Sequence, residues 1–140
     1  MSYSREWFNR KMKNIFSFIL NLPYTILGVL VALFSLPRLK IDFNASPIAI
    51  IFHVRSFWWA KPVGYMRYSR AMAIGHVVIL GPRVLDKDLE HELVHVEQLT
   101  REPLIHPFLY WLELFRHGYA GNKYEIEAYS RAGNFYSPGK

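Results

Sequence analysis

A chain of 140 residues has room for one compact domain and little more. With 51% hydrophobic and 16% aromatic side chains it is too apolar to stay disordered, and its formal charge of +6 points to an anionic partner. Cysteine is absent, which excludes a disulfide framework and a thiolate metal site and leaves histidine and carboxylate as the strong metal ligands.

The first 14 residues carry Arg5, Arg10, Lys11 and Lys13 against Glu6, interleaved with Tyr3, Trp7 and Phe8. The run Ile15 to Leu36 then holds no formal charge, and its 22 residues suffice to cross about 30 Å of hydrocarbon as a helix. Basic and aromatic flanks suit an interfacial anchor. Residues 1–40 are therefore expected to form a membrane-associated segment, with a single transmembrane helix kinked at Asn21-Leu22-Pro23 as the first reading. A broken pair of short helices in one leaflet is the second, because Pro23 removes a helix hydrogen bond and Asn21 is ill at ease in lipid. A buried helix of the folded domain is the third. A signal peptide fits least, since the apolar run is long and no small-residue cleavage site precedes Pro37. Arg38 and Lys40 balance the basic start, so the positive-inside rule favours neither topology.

Residues 41–140 read as the folded domain. From Pro47 the pattern becomes extended: Pro47 to Arg55 is β-branched and aromatic, and Phe57 to Gly64 with Trp58 and Trp59 reads as a turn. Tyr65 to Arg70 and Ala71 to Leu80 give two further strand-like runs, closed by Gly81-Pro82. The fold class expected is α+β, a short antiparallel sheet leading into a helical core.

Asp86 to Arg101 has no glycine or proline and reads as a helix, capped by Asp86 or Asp88 and ended before Pro103. It carries His91-Glu92-Leu93-Val94-His95. One turn apart, the two imidazoles share a face and can meet one metal ion, while Glu92 lies about 100° around the helix, placed to take a proton from a water without being a ligand. The bland alternative is an amphipathic helix with Leu89, Leu93, Val96 and Leu99 in the core. Leu104 to Gly118 is apolar almost all round and too short to span, so it is either buried or laid against the membrane. After Gly121, Asn122 is placed to cap a last helix bearing Glu125 and Glu127 near its start. Two histidines and one carboxylate make a hydrolytic zinc set with the fourth position open.

HExxH followed some thirty residues on by Glu125-Ile126-Glu127-Ala128, with a further small residue at Ala132, resembles the gluzincin metallopeptidases. The small minigluzincin type and the membrane-associated Ste24/HtpX-like families are the most similar. The resemblance covers about the last 70 residues. It implies one zinc ion per chain held by His91, His95 and Glu125, with Glu92 as general base, and a zincin sheet whose edge strand aligns a peptide substrate. Gln98 matches the HExxHxxQ of several small zincin-like domains, and Glu127 is left as a bystander or supporting group. The Ste24-like pattern has Asp directly after the Ala, where it supports a ligand histidine. This chain has Tyr129 there, so that support must come from elsewhere.

For the donor to a tetrahedral oxyanion, His117 and Tyr119 come first and Tyr124 and Tyr129 next. His53, His76 and His106 are expected to be structural. The basic clusters at residues 5–13, 38–40 and 67–70 come without a nucleic-acid recognition motif, so the expected partners are a lipid bilayer and a peptide or protein substrate, not nucleic acid. The function expected is a membrane-associated zinc metallopeptidase. Its rivals are a zincin-like structural or assembly module that binds metal without cleaving, and a membrane interaction protein without metal.

Overall fold

In the computed structural model, which describes residues 2–62 and 69–134, four strands alternate their side chains between two layers of helix. The strands are β1 (Pro37–Ala45), β2 (Ile48–Val54), β3 (Ala71–Ile74) and β4 (Val77–Leu80), in the order β1-β2-β4-β3. Phe52, Val54, Met72, Val77 and Ile79 turn to one face, where they meet Ala32 and Val29. Ala49, Ile51, Val78 and Leu80 turn to the other and meet Leu89, Leu93 and Val96. That period of two makes the sheet the middle of three layers. Among the described residues there are five α-helices: α1 (Ser2–Leu20), α2 (Leu22–Phe34), α3 (Asp86–Arg101), α4 (His106–Gly121) and α5 (Lys123–Ala132).

The α+β class holds, and the sheet is mixed rather than antiparallel. β1 with β2 and β3 with β4 pair antiparallel, but β2 and β4 run parallel. Ala71 to Leu80 is not one strand; it is a hairpin folded at Gly75-His76, with Gly75 at φ 62°, a conformation glycine adopts without the cost a side chain would incur. Its return strand lies beside β2 in the same direction. Of the run Tyr65 to Arg70, residues 65–68 lie outside the described residues, and Ser69 and Arg70 are not in a strand. β1 was not expected. It begins at Pro37, so the sheet takes in residues assigned above to the N-terminal segment.

The kink expected at Asn21-Leu22-Pro23 is a full break between two helices, which only together have the length and composition of a span. No single helix is long and apolar enough to cross a membrane, and α1 and α2 meet at a bend of 69°. Asn21 makes the break. Fully buried, it donates from Nδ2 to the Ser17 carbonyl (2.8 Å) and to Ser17 Oγ (3.0 Å), and its Oδ1 accepts from the Leu104 amide (2.9 Å). Pro23 then sits in the first turn of α2, where its missing N–H costs nothing. The α2 backbone lies so close to the sheet that a methyl group at Gly28 would meet the Ile74 carbonyl and Val77.

Candidate metal centre

The apolar stripe of α3 decides where its histidines point. Leu89, Leu93 and Val96 go to the sheet, which leaves His91 and His95 facing α5. The Asp88 carboxylate accepts from the Leu85 amide (2.8 Å) and from both arms of Arg70 (2.8 and 2.9 Å), tying the start of α3 to the approach to β3. Asn122 caps α5 as expected: its side chain accepts from the Tyr124 amide (3.0 Å) and donates to the Tyr110 carbonyl (3.2 Å). Glu125 is thereby fixed in the first turn of α5, where a negative charge suits the helix end.

His91, His95 and Glu125 converge and form the one group of three metal-ligating side chains found among the described residues. His91 Nε2 is 3.1 Å from His95 Nε2 and 3.1 Å from one Glu125 oxygen, and His95 Nε2 is 3.3 Å from the other. Donors arranged around a tetrahedral zinc ion stand about 3.3 Å apart, so the triangle has the right edge. His91 Nε2 carries at most one proton for Glu125 and His95 together, and its buried Nδ1 has no partner among the described residues. A cation can face all three side chains at once without sharing that proton. The donor set and its geometry fit zinc.

Behind His95 the support is complete. Gln98 Oε1 accepts from His95 Nδ1 (2.8 Å), which leaves Nε2 as the free donor atom toward Glu125 and His91. Gln98 Nε2 in turn donates to the Tyr124 carbonyl (2.9 Å) and to Glu127 (3.0 Å), and Arg101 holds Glu127 at 2.7 Å. Glu127 is thus tied to the centre through Gln98 rather than facing it. His91 is different: Tyr129 lies edge-on against its ring, centroids 4.3 Å apart.

Charge follows the same geometry. Burial pushes the Glu125 carboxyl up, but hydrogen bonds from His91, His95 and Tyr110 outweigh it and hold the group well below the usual carboxylate range. Burial pulls His95 down, yet the Glu125 hydrogen bond and charge leave it raised to about 9. Burial also pushes the Glu92 carboxyl up, with His95 and His91 opposing. A raised carboxyl is what a general base working near neutrality requires.

The triad opens on a cavity of about 460 Å³, within the range of small-ligand sites. Its walls are β3 and Gly75, then His91, Glu92 and His95 of α3, then α2 through Tyr24 and Leu27, and α4 through Pro107, Tyr110 and Trp111. Of the four expected oxyanion donors, Tyr119 alone lines it. The chain turns at Gly118 (φ 70°, ψ 178°), a conformation almost confined to glycine, and the next residue faces the cavity. His117 is exposed and away from the cavity, Tyr124 bonds Glu102 (2.9 Å), and Tyr129 bonds Tyr119 (3.1 Å) and packs on His91. His53, His76 and His106 bond Asp42, Ile48 with Ser17, and Glu102. Missed by the sequence reading is Tyr110, whose hydroxyl donates to Glu125 at 2.6 Å. Its only sequence signal is its place one turn after His106 on an apolar helix. No protein-family model, curated protein or solved structure matches this chain.

Proposed function

We propose that the chain is a membrane-associated zinc metallopeptidase of gluzincin type. His91, His95 and Glu125 hold the ion, one per chain. The observation that carries the reading is the triangle itself: two imidazole nitrogens and a carboxylate brought edge to edge at zinc spacing, on the wall of a cavity that also contains Glu92. Zinc bound there supplies a Lewis acid that polarises a peptide carbonyl and makes water acidic enough to attack it. Glu92 takes the proton from that water and hands it to the departing amine. Tyr119 stands on the cavity wall to donate to the oxyanion, and burial and the Glu125 charge keep its hydroxyl protonated. β3, an edge strand lining the same cavity, offers its backbone to an extended peptide, and the bent α1–α2 pair anchors the protein at the bilayer.

Zinc content per chain tests the ligand set, in detergent-purified wild type, Glu125→Gln and Glu127→Gln after dialysis against a weak chelator. The expected result is about one zinc in wild type and in Glu127→Gln and none in Glu125→Gln. A folded wild type that never holds zinc ends the reading.

A zincin-like module that binds zinc without cleaving is the second reading, favoured by Tyr129 at the Asp position and by the Nδ1 of His91, which has no partner among the described residues. Glu92→Gln separates the two. A peptidase keeps its zinc and loses about a hundred- to ten-thousand-fold in turnover, whereas a structural module keeps both zinc and function.

A further inference from the structure

The helices on one side of the sheet are built inside out. Along α1 and α2 the buried residues are Asn14, Ser17, Asn21, Thr25, Gly28 and Ala32, three or four apart, with Val29 and Val31 packed partly beside them. Their polar atoms are matched: Asn14 bonds Ser46, Ser17 bonds His76, and Thr25 Oγ1 accepts from the His76 amide. The outward face carries Phe16, Ile19, Ile26, Leu30, Leu33 and Phe34, all exposed. A helix in water buries its apolar stripe and shows its polar one. Small and polar residues between helices with aliphatic and aromatic ones outside is the arrangement suited to hydrocarbon.

α4, which packs against α5 and α3, also leaves an apolar face uncovered. Phe108 and Phe115 are 71% and 81% exposed, with Trp111 and Leu112 between them. Its approach is fastened to the α1–α2 bend: Tyr24 donates to the Leu104 carbonyl (2.7 Å), and the Leu104 amide donates to Asn21 (2.9 Å). β1 extends the surface. Ile41 and Phe43 are exposed and pair with Phe52 and Ile50, which face the α1–α2 layer, so all four share that face of the sheet. Exposed Arg5, Arg10, Lys11 and Lys13 rim it at the start of α1, with Lys11 over the Trp7 ring at 5.0 Å.

α2, with 13 residues, reaches about 20 Å, and α4, continuous from 106 to 117 before its break at Gly118, reaches about 18 Å, both short of a hydrocarbon core of about 30 Å. A surface of this make-up and depth fits one leaflet, with the basic rim among anionic headgroups. Leu27 and Trp111 belong both to the exposed apolar face and to the wall of the metal-site cavity. We propose that α1, α2 and α4 together seat in one leaflet of an anionic bilayer and that the cavity opens at the lipid surface. Its substrates are then apolar peptide segments that reach β3 sideways from the bilayer. This last step rests on the peptidase reading; the seating of the helices does not.

The natural chain has no cysteine, so single-cysteine variants carry one label each without any background change. The full chain with a nitrobenzoxadiazole label at Leu30→Cys on α2, Phe115→Cys on α4 or Ser130→Cys on α5 is added to vesicles of equal parts phosphatidylcholine and phosphatidylglycerol. The labels at 30 and 115 are expected to brighten several-fold, shift to the blue and be quenched by lipids with spin-labelled chains. The label at 130 stays quenchable by aqueous iodide. A label at 115 that behaves like the one at 130 while the label at 30 inserts overturns the proposal, since α4 and the cavity then face water. Insertion at neither site, with the chain dimeric in solution, overturns it too, and assigns the face to a second copy. Zinc measured on the same samples keeps the readings apart: labels that insert in zinc-free protein end the peptidase reading alone, and zinc-loaded protein whose labels stay wet ends this one alone.

Discussion

Two buried polar clusters, each built around histidine, sit on opposite sides of the sheet. Beneath α1 and α2, His76 donates from Nδ1 to the Ile48 carbonyl (2.6 Å) and accepts from Ser17, which also receives Asn21. Every polar atom there has a partner with a consistent proton. Beneath α5, the one proton His91 can carry at Nε2 is shared between Glu125 and His95, and its Nδ1 has no partner among the described residues. The two are alike in burial and composition and differ in closure. A closed network is there to specify the fold; an unclosed one marks a place where a further group completes the set.

The largest effect expected from that difference is the response to zinc. At free zinc 1,000-fold above its dissociation constant, wild type gains about 4 kcal/mol of stability, read as a rise in melting temperature, and Glu125→Gln gains none. The gain also depends on pH. In metal-stripped protein His95 is raised from 6.5 to about 9, so its contribution is complete below pH 6.5 and is lost as pH climbs through 9. Glu125 is lowered from 4.5, so its contribution is present above that pH and is lost in acid. Zinc takes the place of the His95 proton. The interval between loaded and stripped melting temperatures therefore widens from pH 6.5 to 9, and a constant interval would contradict the assignment of His95 as a ligand.

Paired substitutions sharpen the comparison. His76→Leu strands the Ile48 carbonyl and Ser17 and is expected to cost about 2 to 3 kcal/mol in chemical denaturation, with zinc content intact. His91→Leu takes a hydrogen bond from Glu125 but also removes the Nδ1 that has no partner among the described residues, two opposing effects, so the metal-stripped protein loses less than with His76→Leu while zinc binding disappears. Equal costs for the two would erase the distinction. Smaller again is Gln98→Leu, which frees the His95 ring and takes one donor from the Tyr124 carbonyl and from Glu127; zinc affinity falls by about ten- to a hundred-fold in a competition titration with a chromogenic chelator.

The site was more legible in the sequence than the scaffold around it. HExxH spacing, the Asn122 cap and Glu125 are local signals, and local rules placed them. Glu127 reaches the centre through Gln98, a route that depends on how α3 and α5 pack, which no spacing conveys. β1 had a clean signal that was passed over: Leu39, Ile41 and Phe43 alternate with Arg38, Lys40 and Asp42, but the basic residues also suited the flank of an apolar helix. The break at Asn21 was visible as a cost in lipid, yet its cause, a bond to the Leu104 amide 83 residues away, is tertiary. Tyr110 was hidden for the same reason. Its partner is 15 residues on, in the next helix.

The smallest predicted effect isolates the turn that delivers Tyr119. A methyl group at Gly118 would meet nothing within 4 Å, so any cost of Gly118→Ala comes from backbone conformation alone. At φ 70° and ψ 178° that cost is about 1 kcal/mol or slightly more, seen as a modest fall in denaturation midpoint. The strain is relieved by rotating the chain just ahead of Tyr119, while His91, His95 and Glu125, on α3 and α5, stay in place. Zinc content should therefore remain at one per chain and KM change little, while kcat falls as the hydroxyl leaves the oxyanion position. Tyr119→Phe should lower kcat in the same way without the loss of stability. If Gly118→Ala is strained but turns over at the wild-type rate, Tyr119 is not the donor, and Tyr110, the tyrosine on the cavity wall whose hydroxyl bonds Glu125, becomes the residue to test.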